Sequence, residues 1–63
     1  MLNGERYELA TSLTVTDLLA HLAIDARRVA VEHNLNVVKR AAFGETVIHE
    51  GDLVEIVNFV GGG

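Results

Sequence analysis

Leu53-Val54-Glu55-Ile56-Val57-Asn58-Phe59-Val60 runs directly into Gly61-Gly62-Gly63. The first eight residues are rich in β-branched and apolar types, which predicts a strand. Strand side chains alternate between faces. Val54, Ile56 and Asn58 therefore share one face, and Leu53, Glu55, Val57 and Phe59 share the other. Glu55 marks the outer face, so Val54 and Ile56 are expected in the core. Val57 and Phe59 are left facing solvent beside the glycines, as a candidate docking patch. Scattered exposed apolar side chains are common on any protein, and their place beside the tail is what singles these two out.

Glycine loses more backbone entropy on ordering than any other residue, so three in a row add nothing to a folded domain. Their value is steric. A Gly-Gly carboxylate is thin and free of side chains, and can present its carboxyl group inside another protein's active site. The competing reading is an inert, disordered end. The rest of the chain decides between them.

Working outward from the last strand, Glu50-Gly51-Asp52 is a turn. Val29-Ala30-Val31 and Val37-Val38-Lys39 read as short strands on either side of a turn at His33-Asn34-Leu35-Asn36. Ala41 to Thr46 is ambiguous, with Gly44 in a turn or a single helical turn. Thr14, three residues before Asp17, is an N-cap followed by an acidic first turn. Val15, Leu18, Leu19 and Leu22 follow at the spacing of one helical face, predicting a helix over 15–23. Asn3-Gly4 is a two-residue hairpin signal, expected to join Met1-Leu2 to a strand near Arg6-Tyr7-Glu8-Leu9. The order is β-β-α-β-β-β. One helix on one mixed sheet of four to five strands is a two-layer α+β design. Its expected core is Val15, Leu18, Leu22, Val29, Val31, Ile48, Val54 and Ile56. The domain is expected to span 1–60, with a flexible glycine tail over 61–63.

The chain has 63 residues, no cysteine, no proline and a net charge of −4. That length makes one domain, and a domain so small has little room to enclose a substrate pocket. A binding or carrier module is expected, not an enzyme. Without cysteine there is no disulfide, thiol chemistry or Cys-based metal site. The negative charge disfavours nucleic acid. It suits a basic protein partner as readily as it suits plain solubility. No apolar run approaches a membrane span and no signal-peptide pattern opens the chain, so a cytoplasmic location is expected.

Asn3-Gly4-Glu5, Leu13-Thr14-Val15-x-x-Leu18-Leu19, Val29-Ala30-Val31-Glu32 and the run from Glu50-Gly51-Asp52 to Gly61-Gly62-Gly63 together resemble the ThiS family of thiamine-biosynthesis sulfur carriers. The last stretch is the most specific part. The resemblance implies a ubiquitin-like β-grasp fold. The small molybdopterin synthase subunit also ends in Gly-Gly, but usually approaches it through a proline-containing segment, which is missing here. The chain departs from the pattern in three places. Only Met1 and Leu2 precede the Asn-Gly turn. Asn34-Leu35-Asn36 stands where Asn-Gly is common. Phe43 stands in a region where tryptophan is common, as a core or rim substitute.

The resemblance implies that a ThiF-type adenylyltransferase activates the Gly63 carboxylate with ATP, the chain itself binding no cofactor. Sulfur from a persulfide donor then replaces AMP, and the resulting thiocarboxylate donates sulfur to a ThiG-type thiazole synthase. Adenylation gives a poor electrophile a good leaving group, and an ionised thiocarboxylate is a strong nucleophile. The tail from Val60 to Gly63 reaches roughly 13 Å at ~3.3 Å per residue. Gly63 is thus the reacting group, with Gly61 and Gly62 as its tail. Val57, Phe59, Val60, Ala30 and Glu55 are candidate partner-binding residues. Alternatives are carriage of sulfur to molybdopterin or another acceptor, a ubiquitin-like protein modifier, and a β-grasp interaction domain with an inert tail.

Other polar residues give weaker signals. His21, His33 and His49 share no ligand spacing and read as surface histidines rather than a metal set. Arg27-Arg28 can grip an acidic partner or a phosphate, or complement a helix dipole. Glu32 and Glu55 can pair with basic groups on an activating enzyme, although most such charges form a solvated face. Asp17 reads as a first-turn acid, and Ser12 has no base at motif spacing to activate it.

Overall fold

Thr14 starts the helix as its sequence predicts, and the start is locked from both directions. In the computed structural model, which describes residues 1–9 and 11–58, helix α1 spans Val15–His21. Thr14 Oγ1 accepts from the Asp17 N–H (3.1 Å), and Asp17 Oδ2 accepts from the Thr14 N–H (3.4 Å). This capping box satisfies two donors that a helix end otherwise leaves open. The next two donors go elsewhere: the Val15 and Thr16 N–H groups reach the carbonyls of Thr46 and Phe43 (3.0 and 3.1 Å). The ambiguous 41–46 segment thus has a defined task. It follows a 3₁₀ turn at Arg40–Ala42, closes the helix start, and places Phe43 in the core at 4% exposure. Of the two expected places for Phe43, the core is the one it takes.

The helix stops at His21, two residues earlier than expected. Ala23 has φ of +58°, and the Ile24 N–H turns back to the Leu19 carbonyl (2.9 Å), which ends the helical ladder. Seven residues do not hold a helix in water by themselves. Burial of Val15, Leu18 and Leu19 against the sheet holds this one.

Strand β1 is Leu13–Thr14, β2 is Val29–His33, β3 is Asn36–Val38, β4 is Val47–Ile48 and β5 is Val54–Asn58. Strands β3, β2 and β5 form one antiparallel sheet in that order, and β1 pairs with β4 in a second, two-stranded one. Helix α1, the one α-helix among the described residues, lies on this arrangement, in keeping with the expected α+β class. Two expected strands differ. Arg6–Leu9 forms none, because the Leu9 N–H is taken by the Glu50 side chain (Leu9 N to Glu50 Oε2, 2.7 Å) rather than by a neighbouring backbone. Tyr7 and Leu9 still pack on the core. The pairing falls instead to Leu13–Thr14, opposite Ile48 and Val47.

The N-terminal segment reduces to bridges. Asn3 and Gly4 have φ of +50° and +79°, the double positive-φ turn that Asn-Gly favours. Leu2 bridges Glu5 across that turn and bridges Val54 in parallel. The Asn3 N–H donates to the Val54 carbonyl (2.8 Å), and the Val54 N–H donates to the Met1 carbonyl (2.7 Å). One step further along β5 there is no strand backbone, and the Asn3 side chain replaces it: Oδ1 accepts from the Ile56 N–H (2.6 Å).

The core is Val15, Leu18, Leu19, Val29, Val31, Phe43, Ile48 and Val54. Six of the eight expected core residues are there. Leu22 and Ile56 are only partly buried, and Leu19 and Phe43 hold the deep positions instead. Ile56 faces inward as the alternation requires, but it lies near the end of the described sheet, where less of the protein covers it.

Two polar ties orient β5. Asn34 lies at the β2–β3 turn. Its N–H donates to the Leu53 carbonyl (2.7 Å) and its Oδ1 accepts from the Leu53 N–H (2.9 Å). Asp52 closes the turn before β5: its Oδ2 accepts from the His49 backbone N–H (2.9 Å) and from the His33 ring Nε2 (2.7 Å). Those two bonds, the His49 one first, lower the Asp52 carboxyl to about 2. Asp25 is also lowered to about 2, by the Arg27 side chain and then its backbone N–H.

Three outcomes follow from this packing. Leu19→Ala should cost ~2–5 kcal/mol by urea denaturation, as a fully enclosed leucine does. Ile56→Ala should cost distinctly less, and equal losses would show that Ile56 is as enclosed as Leu19. Asn34 and Leu35 have φ of +50° and +72°, and Leu35 is 75% exposed. A leucine held in the left-handed region with nothing packed on it is strained. Leu35→Gly should therefore raise stability by ~1 kcal/mol; an unchanged or lower urea midpoint would contradict the strain. Finally, a carboxyl whose folded pKa lies below its unfolded value of ~3.9 contributes stability that is complete above about pH 4 and is lost as pH falls toward 2. Asp52→Asn should lower the urea midpoint at pH 6 and flatten its decline between pH 4 and pH 2. An acid slope equal to the parent's would remove Asp52 as a source of that decline.

Candidate functional site

The outward face of the three-stranded sheet is set by register. In the β2–β5 ladder Val31 pairs with Ile56, and these side chains point to the core. Their neighbours point the other way: Ala30 pairs with Val57, and Glu32 with Glu55. On the far side of β2, Glu32 pairs with Val37. Five side chains from three strands thus share one surface. Val57 is 55% exposed and Val37 is 72% exposed, and both project from paired strands.

Of the expected partner-binding residues, Val57, Ala30 and Glu55 are brought together on this face. Phe59, Val60, Gly61, Gly62 and Gly63 lie outside the described residues. Val37 was not anticipated. Its signal was present in the sequence: with Asn34-Leu35 as a two-residue turn, alternation along β3 sends Val38 inward and Val37 outward. Glu32 was singled out only as a charge, since its position opposite Glu55 depends on a pairing between distant segments.

The remaining polar residues have local tasks. Arg27 Nε and Nη2 grip Asp25 (3.2 and 3.1 Å), which raises the Arg27 pKa, and Arg28 Nε lies 3.9 Å from the same carboxylate. Asp25 caps the Ala26–Arg28 turn. The arginines therefore answer a neighbouring aspartate, not the dipole of α1. His21 ends α1, His33 holds Asp52, and His49 Nδ1 lies 3.1 Å from Ser12 Oγ. Ser12 does have a base beside it, contrary to what spacing suggested, because the chain folds back over 37 residues to bring His49 near. The pair is exposed, and Asp52 bonds the His49 backbone instead of its ring, so among the described residues no third group orients the imidazole.

Among the described residues, no three His, Cys, Asp or Glu side chains group as a metal set, and no polar side chain is buried. An open groove of about 580 Å³ runs between β3 and the segment carrying Ala42 and Thr46, with Lys39 and Asn36 on its walls. It collects no nucleophile with a positioned base. No helix among the described residues is long and apolar enough to cross a membrane.

Known proteins of the same kind are recognisable. The ThiS family model matches residues 1–63. A thiazole synthase of Paramagnetospirillum magneticum is 43% identical over 63 residues, which is 100% of this chain and 19% of that protein. The chain thus spans about a fifth of the thiazole synthases that it matches. The sulfur carrier protein ThiS of Bacillus subtilis is 38% identical over 50 residues, covering 79% of this chain and 76% of that one. The crystal structure of the thiamine biosynthesis protein ThiS from Geobacter metallireducens superposes with a TM-score of 0.80 at 43% identity. The match covers 98% of this chain and 94% of the other. The fold is therefore the β-grasp that the resemblance implied.

Proposed function

The chain belongs to the ThiS family, and on that footing we propose that it carries sulfur for the thiazole ring of thiamine on the carboxyl group of Gly63. The family match over residues 1–63, glycine run included, is the observation that carries this reading. In it, a ThiF-type adenylyltransferase joins the Gly63 carboxylate to AMP at the expense of ATP. The outer sulfur of a donor persulfide displaces AMP to give an acyl disulfide. A thiol cleaves its S–S bond to leave the thiocarboxylate on Gly63 and a disulfide on the donor, and the thiocarboxylate passes to a ThiG-type thiazole synthase. The chain binds no cofactor of its own and works in the cytoplasm, beside the enzymes that load and unload it.

The protein's own residues contribute three things. Strand β5, paired with β2 over five residues and bridged to Leu2 at Val54, leads in sequence to Gly61-Gly62-Gly63. The glycines leave the carbonyl carbon unshielded, so that a nucleophile can approach from either face. Val57, Ala30 and Glu55 supply the surface on which a partner sits. The thiazole synthases that contain a segment like this chain support the acceptor in this scheme.

Removing Gly62 and Gly63 should abolish AMP exchange and thiocarboxylate formation with the activating enzyme while leaving the urea midpoint within about 0.5 kcal/mol of the parent. Intact mass of the protein purified from its own host should reveal a fraction heavier by the exchange of one oxygen for sulfur. Full activity of the shortened chain would sink the carrier reading, since no cysteine is present to hold the sulfur instead.

A further inference from the structure

One feature of the outer face works against the fold that carries it. Glu32 and Glu55 stand directly opposite each other on β2 and β5, on the same side of the sheet. Like charges at opposed positions destabilise a strand pair. Among the described residues neither carboxylate joins an ion pair. The two acids are bordered by exposed valines: Val37 is opposite Glu32 on β3, and Val57 is two residues along β5.

We propose that Glu32 and Glu55 together form the seat for an arginine side chain of the acceptor thiazole synthase. This rests on the carrier reading and adds a named point of contact to it. Two carboxylates on neighbouring strands, about 5 Å apart at their Cβ atoms, suit the planar fork of a guanidinium better than the single point of an ammonium. The valines give the arginine stem an apolar bed and keep water from the charges. Occupation removes the repulsion that the free domain endures, so that binding is favoured by a strain relieved only in the complex. A second copy of this chain does not fit. The chain carries a net charge of −4, and pairing this face with itself brings four carboxylates together. The thiazole synthase is favoured as the partner because chains of this kind occur within longer proteins of that name.

The experiment sets binding against stability. The parent, Glu32→Gln/Glu55→Gln and Glu32→Arg are titrated separately into the thiazole synthase and the activating enzyme of the same organism at low and high salt, and each is melted alone. Glu32→Arg places an opposite charge across from Glu55, so the free domain should melt higher while affinity falls by about tenfold or more. The double Gln variant should melt no lower than the parent, bind more weakly at low salt, and lose most of the salt dependence. Parental affinity and salt dependence in both variants overturn the seat. If the parent still acquires a thiocarboxylate in that case, the carrier reading stands without it. A loss of affinity confined to the activating enzyme overturns the assigned partner. A parent that neither binds the synthase nor acquires sulfur overturns both readings.

Discussion

Five consecutive register pairs between Val29–His33 and Val54–Asn58 hold the two strands on which everything else is placed. Val29, Val31 and Val54 present their inner side chains from this ladder to Val15, Leu18 and Leu19 of the helix. Without it the helix has no surface to bury its stripe against, and at seven residues it has too few hydrogen bonds to persist alone. The same ladder aligns Ala30 with Val57 and Glu32 with Glu55. Core and outer face are thus opposite sides of one pairing, and a slip of one residue would exchange them.

Side chains stand in for backbone wherever this small sheet runs out. Asn3 Oδ1 accepts the Ile56 N–H at a point the N-terminal segment does not reach. Asn34 Oδ1 accepts the Leu53 N–H, and Asp52 joins its own turn to the end of β2. Each is a short polar side chain that mimics a peptide group at a turn. A domain of this size buries little apolar surface, so these ties decide how precisely β5 is aimed. Asp52 also makes that aim sensitive to strong acid, because its lowered pKa belongs to the folded state.

The division of labour suits a carrier. The described residues bring together a partly apolar face, while in the proposed scheme the reacting carboxyl group belongs to a stretch with no side chains. In that scheme chemistry is left to the partner, and the chain supplies position. Positioning is effective because errors of ~1 Å at a reacting centre can cost about 100-fold in rate.

Much of this was legible in the sequence alone. The alternation around Glu55 set the inner and outer faces of β5. Thr14 and Asp17 marked the start of the helix, and Asn3-Gly4 marked the first turn. These signals are local: each depends on periodicity or on the backbone preferences of two to four residues. What only the tertiary structure decided involves residues far apart in the chain. Phe43 enters the core because the Phe43 and Thr46 carbonyls turn to the helix start. Leu13–Thr14 replaces Arg6–Leu9 as a strand because Glu50 takes the Leu9 N–H. Ser12 meets His49, and Glu32 meets Glu55, only because their segments fold against each other. Such pairings depend on which chain closures leave the fewest backbone groups unsatisfied and the most apolar surface covered, a balance struck over the whole chain at once.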